Sequence, residues 1–418
     1  MGESVTVGAV RVGQGRSPAP AEDSRKDGTR VSAEQGFLPF HRPSIDEEDI
    51  AAVVDTLRSG WLTMGPKTRA FEEAFASAIE APHAVAVSSA TAGLHLGLDA
   101  LGIGPGDDVL VPTLTFASTA ATVIHKGARP VLVDCEPDTL NISVADAARK
   151  WTPNTKAIVP VHYGGHPCDM DAILALAREH DVPVMEDAAH ALPARYHGRL
   201  IGSLSDLTVF SFYATKNLTT GEGGMVTTRD ATLAQRLTSR RLHGMNRDAW
   251  KRYTKDGSWR YDVAYPGFKY NMTDMNAALG LVQLKRLPAL QSERRRIVAQ
   301  YRAALADESA VELPTCRPDV EHAWHLFPIR VREEQLRIGR GEVIQELTAA
   351  GIGTSVHFIP LHEHSYYRDV LGVRAEDLPC ATREWQRIIS LPLYPGLSAN
   401  DVDRVSDSLR GIVRANRR

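Results

Sequence analysis

The chain reads as an α/β protein built on a mostly parallel, seven-stranded sheet, followed by a smaller C-terminal α+β region. Seven short apolar runs recur up to Thr228, and most are separated by segments with helical spacing. Such alternation favours parallel strands covered on both faces by crossover helices. Length agrees, since 418 residues are enough for one large core and a second, smaller one. The expected division is a disordered tail over 1–36, a large region over 37–290 and a small one over 291–418.

The tail is rich in Gly, Pro, Ser and charged residues and sustains no amphipathic period. Beyond it, Ile45–Ser59 and Lys67–Ile79 have helical spacing. Ala84–Val87 is the first strand, and it passes through Ser88, Ser89, Ala90 and Thr91 into a helix over Ala92–Leu101. The free N–H groups and dipole of such a helix start favour a phosphate, although Ser-Ala-Thr is also an ordinary N-cap. Gly102–Gly106 resembles a dinucleotide loop but follows a helix and precedes a strand, the reverse of the required context.

Strands follow at Asp108–Val111, Pro130–Asp134 and Ala157–Val161, and then a helix at Met170–His180. The strand Val182–Glu186 leads into Asp187, Ala188, Ala189 and His190. A carboxylate at the carboxyl end of a parallel strand faces the ligand crevice, so Asp187 is a candidate partner for a cationic ring nitrogen. The run Leu207–Phe212 continues to Lys216, which is followed by the small residues Gly221–Gly224 and a last strand at Met225–Thr228. Most lysines are solvated surface points. An amine carried out of a buried strand into a glycine-lined space suits a Schiff base better, because burial lowers its pKa and frees its lone pair. Further on, a helix over Thr273–Leu287 is expected to stop at Pro288, with the charged run Ser292–Arg296 forming a long connection to the C-terminal region.

Phosphate cradle, acid and amine thus occur in the order 91, 187, 216, each after a strand. One ligand requires all three: pyridoxal 5′-phosphate, with a phosphate, a ring nitrogen and an aldehyde.

Composition narrows the function classes. The formal net charge of −3 offers no basic field for nucleic acid or membrane surfaces. No apolar stretch is long enough to span a bilayer, and no signal-peptide pattern is present, so a cytoplasmic location is expected. Cys135, Cys168, Cys316 and Cys380 show no CxxC or disulfide-like spacing. His162 with His166, and His357, His362, Glu363 and His364, lack zinc-type spacing, and no metal is expected. Arginine far outnumbers the ten lysines, a bias that suggests a high-GC genome.

The blocks FLPFHRPSI, SGWLTMGPKT, AVSSATAGLHL, VPVHYGG, EDAAHA, FSFYATKN, GEGGMV, PGFKYNMTDMNAALGLVQL, HAWHLFPIRV and ISLPLYPG, collinear from Phe37 to the C-terminus, resemble the DegT/DnrJ/StrS family of sugar aminotransferases. Within it the chain looks most like enzymes that aminate a 4-keto nucleotide sugar, such as UDP-4-amino-4-deoxy-L-arabinose–oxoglutarate aminotransferase. The resemblance implies the fold type I aminotransferase architecture. It implies Lys216 and Asp187 as the catalytic pair and Phe116 stacked on the pyridine ring. His190 would lie beside the ring, with Ser211, Ser89, Ala90 and Thr91 on the phosphate. The loop Gly267–Asn271 would reach into a neighbouring subunit, making a homodimer with shared sites. Its Lys269 and Asn271 are the residues of the 4-keto subgroup. Lys269 and His325 are expected on the substrate side, Asn271 on the cofactor, with Trp324 packing nearby. The implied reaction moves nitrogen from L-glutamate, leaving 2-oxoglutarate, to a keto sugar in deoxyaminosugar synthesis, for an antibiotic or a cell surface. C-3 amination is the nearest alternative. A non-catalytic regulator is disfavoured by the intact Lys216 and Asp187, and a sugar dehydratase of this fold would carry histidine in place of Lys216.

Overall fold

Seven strands line up in one sheet in the computed structural model, which describes residues 36–245 and 262–418. The expected tail over 1–36 lies outside the described residues apart from Gly36. The sheet strands are β1 (His83–Val87), β2 (Asp108–Pro112), β3 (Arg129–Val133), β4 (Thr155–Ile158), β5 (Met185–Asp187), β8 (Leu207–Ser211) and β9 (Gly224–Thr228), while β6 (Arg195–Tyr196) and β7 (Arg199–Leu200) make a side hairpin. The order β1-β9-β8-β5 continues through parallel bridges Ile158–Val184 and Val161–Asp187 into β4-β2-β3. Only β9 runs against its neighbours. The carboxyl ends of the parallel strands therefore share one edge, where open α/β sheets bind ligands.

The flanking helices are α1 (Glu47–Ser59), α2 (Pro66–Ile79), α3 (Ala90–Ala100), α4 (Ser118–His125), α5 (Val144–Arg149), α6 (Met170–Glu179) and α7 (Ala231–Arg240). Local chemistry sets their ends. Asp46 and Asp49 form a reciprocal capping box on α1, which stops at Gly60 with φ of 74°. Helix α2 has Pro66 in its first turn and no cap of its own. Its orphan amides are met from far away, by the Asp274 carboxylate, which accepts from Gly65 N at 2.7 Å, Thr68 N at 2.9 Å and Lys67 N at 3.0 Å.

Asp274 begins α8 (Asp274–Ala304), and here the sequence reading needs correction. The helix does not end at Pro288 but runs through it. An interior proline costs roughly 3 kcal/mol. Beyond it Leu290, Ile297, Val298 and Tyr301 are buried, and each such side chain contributes about 1.5–3 kcal/mol, so packing outweighs the break. The run Ser292–Arg296 is accordingly not a connection. Its Arg294 is buried, and Nη1 donates to the carbonyls of Leu393 at 3.1 Å, Trp324 at 3.2 Å and His325 at 3.4 Å. The boundary expected between 290 and 291 falls inside this helix.

The rest comprises β10 (Val311–Glu312), β11 (Val320–Glu321), β12 (Phe327–Val331) and β13 (Ile388–Leu391), with α9 (Arg340–Ala349), α10 (Ser365–Leu371), α11 (Pro379–Trp385) and α12 (Ala399–Ala415). Strands β10-β12-β13 form an antiparallel sheet, and β11 pairs with the β6–β7 hairpin. Phe71, Phe75, Phe210 and Phe212 centre one core; Ile297, Tyr301, Phe327 and Leu409 belong to another, which also takes in Leu38 from the start of the described chain. Residues 36–418 make one compact unit.

Candidate active site

A row of backbone pairings crosses the carboxyl edge of the sheet: Asn271 with Val87, Val87 with Gly224, Gly224 with Ser211. Above it sits the start of α3. A Cβ on Gly224 would lie 2.7 Å from the Ser89 carbonyl carbon and 2.8 Å from Ala90 N, so glycine is what lets this turn descend onto the sheet. Ser89 caps the helix, its Oγ accepting from Ala92 N at 3.0 Å. The amides of Ala90 and Thr91 make no hydrogen bond among the described residues. Two donors and the positive end of the helix dipole are thus free beside Ser211.

Asp187 ends β5 and is buried. Its Oδ2 accepts from Thr119 Oγ1 at 2.9 Å and its Oδ1 from Ala189 N at 3.1 Å. Burial nevertheless pushes its carboxyl above the ordinary carboxylate range. Such a group gains most from a cationic partner. Thr119 is steadied by Thr115 at 2.8 Å, and on the same turn Phe116 stands 61% exposed, 6.1 Å from the ring of Phe358.

Lys216 follows β8. Burial lowers its amine to about 8 against an ordinary 10.5, with Asp187 opposing the shift, and its Nζ has no partner among the described residues. Asn217, next in the chain, is buried. Its Nδ2 donates to the carbonyls of Ala323 at 2.8 Å and Leu192 at 2.9 Å, and its Oδ1 meets His325 Nδ1 at 3.2 Å. That contact fixes the His325 proton on Nδ1. His190 is buried 4.4 Å from the ring of His325 and 5.7 Å from that of Phe358, and its Nδ1 has no partner. His357 and His41 complete the rim. Burial first, and then the charge of Lys216 among other cations, pulls all four imidazoles below their ordinary value, His41 and His357 to about 4.

The structure therefore brings Ser89, Ala90, Thr91 and Ser211 to one place, and Asp187, Lys216, His190, His325 and Phe116 to its rim. Lys269 stands apart. It is exposed, and its Nζ bonds Asn271 Oδ1 at 2.5 Å. With neighbouring strands about 4.8 Å apart, the three steps from Asn271 to Ser211 span about 14 Å.

Sequence reasoning missed Thr119, Asn217 and His41, and weighed His357 only as a metal ligand. Asn217 adjoins Lys216 and Thr119 lies one helical turn after Thr115, weak signals that only the fold gives meaning. Other sequence candidates are structural. His162 Nε2 bonds Glu186 at 2.8 Å while its Nδ1 accepts from Cys168 N at 3.0 Å, and His362 is held by Thr113 at 2.8 Å and Thr382 at 2.9 Å. Trp324 stacks on His322 at 3.7 Å inside the second core. The cysteines differ from expectation in one respect: Cys135 and Cys380, far apart in sequence, lie with sulfurs 3.8 Å apart as free thiols beside Asp134. Asp134 already accepts from the backbone amides of Cys135, Cys380 and Ala381.

These residues fit pyridoxal 5′-phosphate. Two free amides and a serine hydroxyl suit its phosphate, a buried carboxyl its ring nitrogen, and an unpartnered amine its aldehyde, while the orphan Nδ1 of His190 awaits a polar atom between them. On a mostly parallel sheet, such a site defines a pyridoxal-phosphate enzyme of fold type I.

The model of the DegT/DnrJ/EryC1/StrS aminotransferase family matches residues 43–410, and the chain belongs to that family. It is 50% identical to the spore coat polysaccharide biosynthesis protein SpsC of Bacillus subtilis over 385 residues, 92% of this chain and 99% of that protein. Among solved structures it resembles the putative sugar aminotransferase Spr1654 of Streptococcus pneumoniae, in its PMP form, with TM-score 0.85 and 36% identity over 90% of this chain and 99% of that one. It also resembles S. venezuelae DesV, with TM-score 0.81 and 35% identity over 90% and 99% of the two chains. The protein is a pyridoxal-phosphate-dependent sugar aminotransferase. Among the described residues no helix is long and apolar enough to cross a membrane.

Proposed function

We propose that the protein transfers nitrogen from L-glutamate to C-4 of a nucleotide-linked 4-keto sugar, a 6-deoxyhexose or a pentose, as a cytoplasmic homodimer whose active sites are shared. The observation that carries the chemistry is the free, half-buried amine of Lys216 on the same edge as the buried carboxyl of Asp187. When bound, the cofactor supplies an electron sink for a carbanion beside nitrogen. Lys216 would hold it, and its Nζ would move the proton at the substrate carbon. Asp187 keeps the ring nitrogen protonated, held in place by Thr119 and Ala189. Ser211 and the amides of Ala90 and Thr91 bind phosphate, Phe116 covers the ring, and His190 orients it. His325 would face substrate in its own subunit, and Lys269 substrate in the site of a second copy.

Glutamate and C-4 rest on the family resemblance; the large region over 37–290 and the small one over 291–418 rest on the sequence pattern, with α8 running across the boundary between them. Similarity to a polysaccharide biosynthesis protein supports a sugar destined for a cell surface over one for an antibiotic. A shared site is supported by geometry, because Ala90 lies over Gly224 while Asn271 lies two strand positions from it, on the side away from Ser211. Its side chain suits a second copy better than its own phosphate cradle. The test is incubation with glutamate and a panel of 3-keto and 4-keto UDP-, TDP- and GDP-sugars, with NMR of the product. Nitrogen on C-4 is expected; nitrogen on C-3 would replace the assignment, and no amination of any sugar would refute it.

A further inference from the structure

A buried polar atom with no partner is rare, because it loses water and gains nothing. Of the seven such atoms among the described residues, Asp49 Oδ1, Arg241 Nε and Trp385 Nε1 lie elsewhere, while His41 Nε2, His190 Nδ1 and Arg294 Nε lie toward the site, and both imidazoles feel the charge of Lys216. A fourth, Thr354 Oγ1, adjoins Ser355, whose backbone pairs with Ser390, the residue that holds His357 at 2.9 Å. The fit to the cofactor accounts for His190. It does not account for His41.

His41 cannot swing away to find a partner. Its segment is clamped on one side by the pairing of Leu38 with Ile352, and Phe40 stacks on His357 with ring centroids 5.5 Å apart. The His41 ring meets Tyr394 edge-on at 6.0 Å. The Ala214 carbonyl is the backbone group that favours a proton on the ring, and with Nε2 buried without a partner that proton is better placed on Nδ1, which leaves the lone pair on Nε2. Burial, with the cations Arg294 and Lys216 nearby, keeps the ring neutral above a pKa of about 4. At neutral pH this tautomer makes Nε2 an acceptor. A carboxylate, a phosphate or a keto oxygen would meet it lone pair to lone pair. A hydroxyl proton would satisfy it.

We propose that His41 is a specificity-determining residue that accepts a hydrogen bond from one ring hydroxyl of the sugar substrate. This rests on the reading of a keto sugar as amino acceptor. Glutamate has no hydroxyl, so the contact belongs to one half of the reaction only. A site with a buried acceptor rejects an analogue that lacks the matching hydroxyl, because the acceptor is then left unpaired.

The test uses the holoenzyme with His41→Phe, which keeps a flat ring without the acceptor, and His41→Asn, which restores one. The two half-reactions are followed separately by cofactor absorbance, with the keto sugar and with analogues that each lack one ring hydroxyl. Binding of the aminated sugar is measured by calorimetry. His41→Phe should lower kcat/KM for the keto sugar about 10- to 100-fold, weaken product binding in parallel and leave the glutamate half-reaction unchanged. His41→Asn should recover part of the loss. The wild type should suffer a similar loss on one deoxy analogue, on which His41→Phe loses nothing further. Equal losses in both half-reactions, or undiminished discrimination by His41→Phe, would overturn the proposal. Conversion of glutamate by the wild type with no keto sugar accepted would instead sink the substrate reading on which it depends.

Discussion

The two walls of the site are built on opposite plans. On the cofactor wall, Ser89 caps its own helix, Asp187 is bonded to Thr119 and Ala189, and the supports come from strand ends and the turns that follow them. On the opposite wall three imidazoles, His41, His325 and His357, converge from distant parts of the chain beside His190, and His41 keeps an orphan nitrogen that the cofactor does not account for. The groups left open on the first wall, the amides of Ala90 and Thr91 and the amine of Lys216, all face one constant group, the cofactor. A wall with a bond left to make beyond the cofactor distinguishes among variable ones. Changes on the first should therefore abolish chemistry for every substrate, and changes on the second should alter the choice of sugar.

The sharpest way to break that division is Lys216→Ala. Activity in both half-reactions should fall by about 10⁴-fold or more, since carrier and proton shuttle are lost together. Borohydride reduction of the yellow wild-type protein, followed by peptide mapping, should find the cofactor on Lys216. Recovery of the label on another of the lysines would dismiss the assignment.

Asp187→Asn comes next. Shape and the Thr119 contact are retained while the counter-charge to the ring nitrogen goes, so turnover should drop roughly 10²- to 10³-fold with the fold intact. The loss should be the same for glutamate and for sugar. A loss confined to one half-reaction would place Asp187 on the wrong wall.

The cofactor wall was legible in the sequence because it obeys short-range rules. Asp187 and Lys216 each follow a strand with a strong apolar pattern, and Ser89–Thr91 sit at a strand-to-helix turn. The imidazole wall was not. His190 and His325 came into view only through resemblance, His357 only as a rejected metal ligand and His41 not at all, because no local pattern tells a histidine that faces a cleft from one that is packed. Arg294 shows the same limit from the other side. In a charged run it reads as solvated, yet tertiary packing carries α8 through Pro288 and buries it.

A smaller effect sharpens the comparison through pH. Burial lowers the Lys216 amine to about 8 from an ordinary 10.5, which favours the neutral, nucleophilic form as pH rises through that value. The rate at which cofactor-free protein takes up pyridoxal 5′-phosphate covalently should climb about 50-fold between pH 6 and pH 8 and then level off. Stopped-flow absorbance across the range measures it. A midpoint near the ordinary value would mean that the amine is solvated and that burial is not what activates it.

The mildest effect concerns the one cofactor residue that does not fit its own wall. Asn271 lies about 14 Å along the row from Ser211 by strand spacing, and Lys269 beside it is exposed, with its amine on Asn271 Oδ1 at 2.5 Å. A cation and an amide on one short turn suit a phosphate belonging to another copy. If the loop crosses a twofold interface, Lys216→Ala protein and a Lys269→Ala, Asn271→Ala double variant are each inactive for different reasons. Re-pairing their subunits then gives mixed dimers with one site that holds both intact parts. Half of randomly re-formed dimers are mixed and each has one good site of two, so activity should return to about a quarter of wild type. Verified subunit exchange with no recovery would return Asn271 to its own subunit.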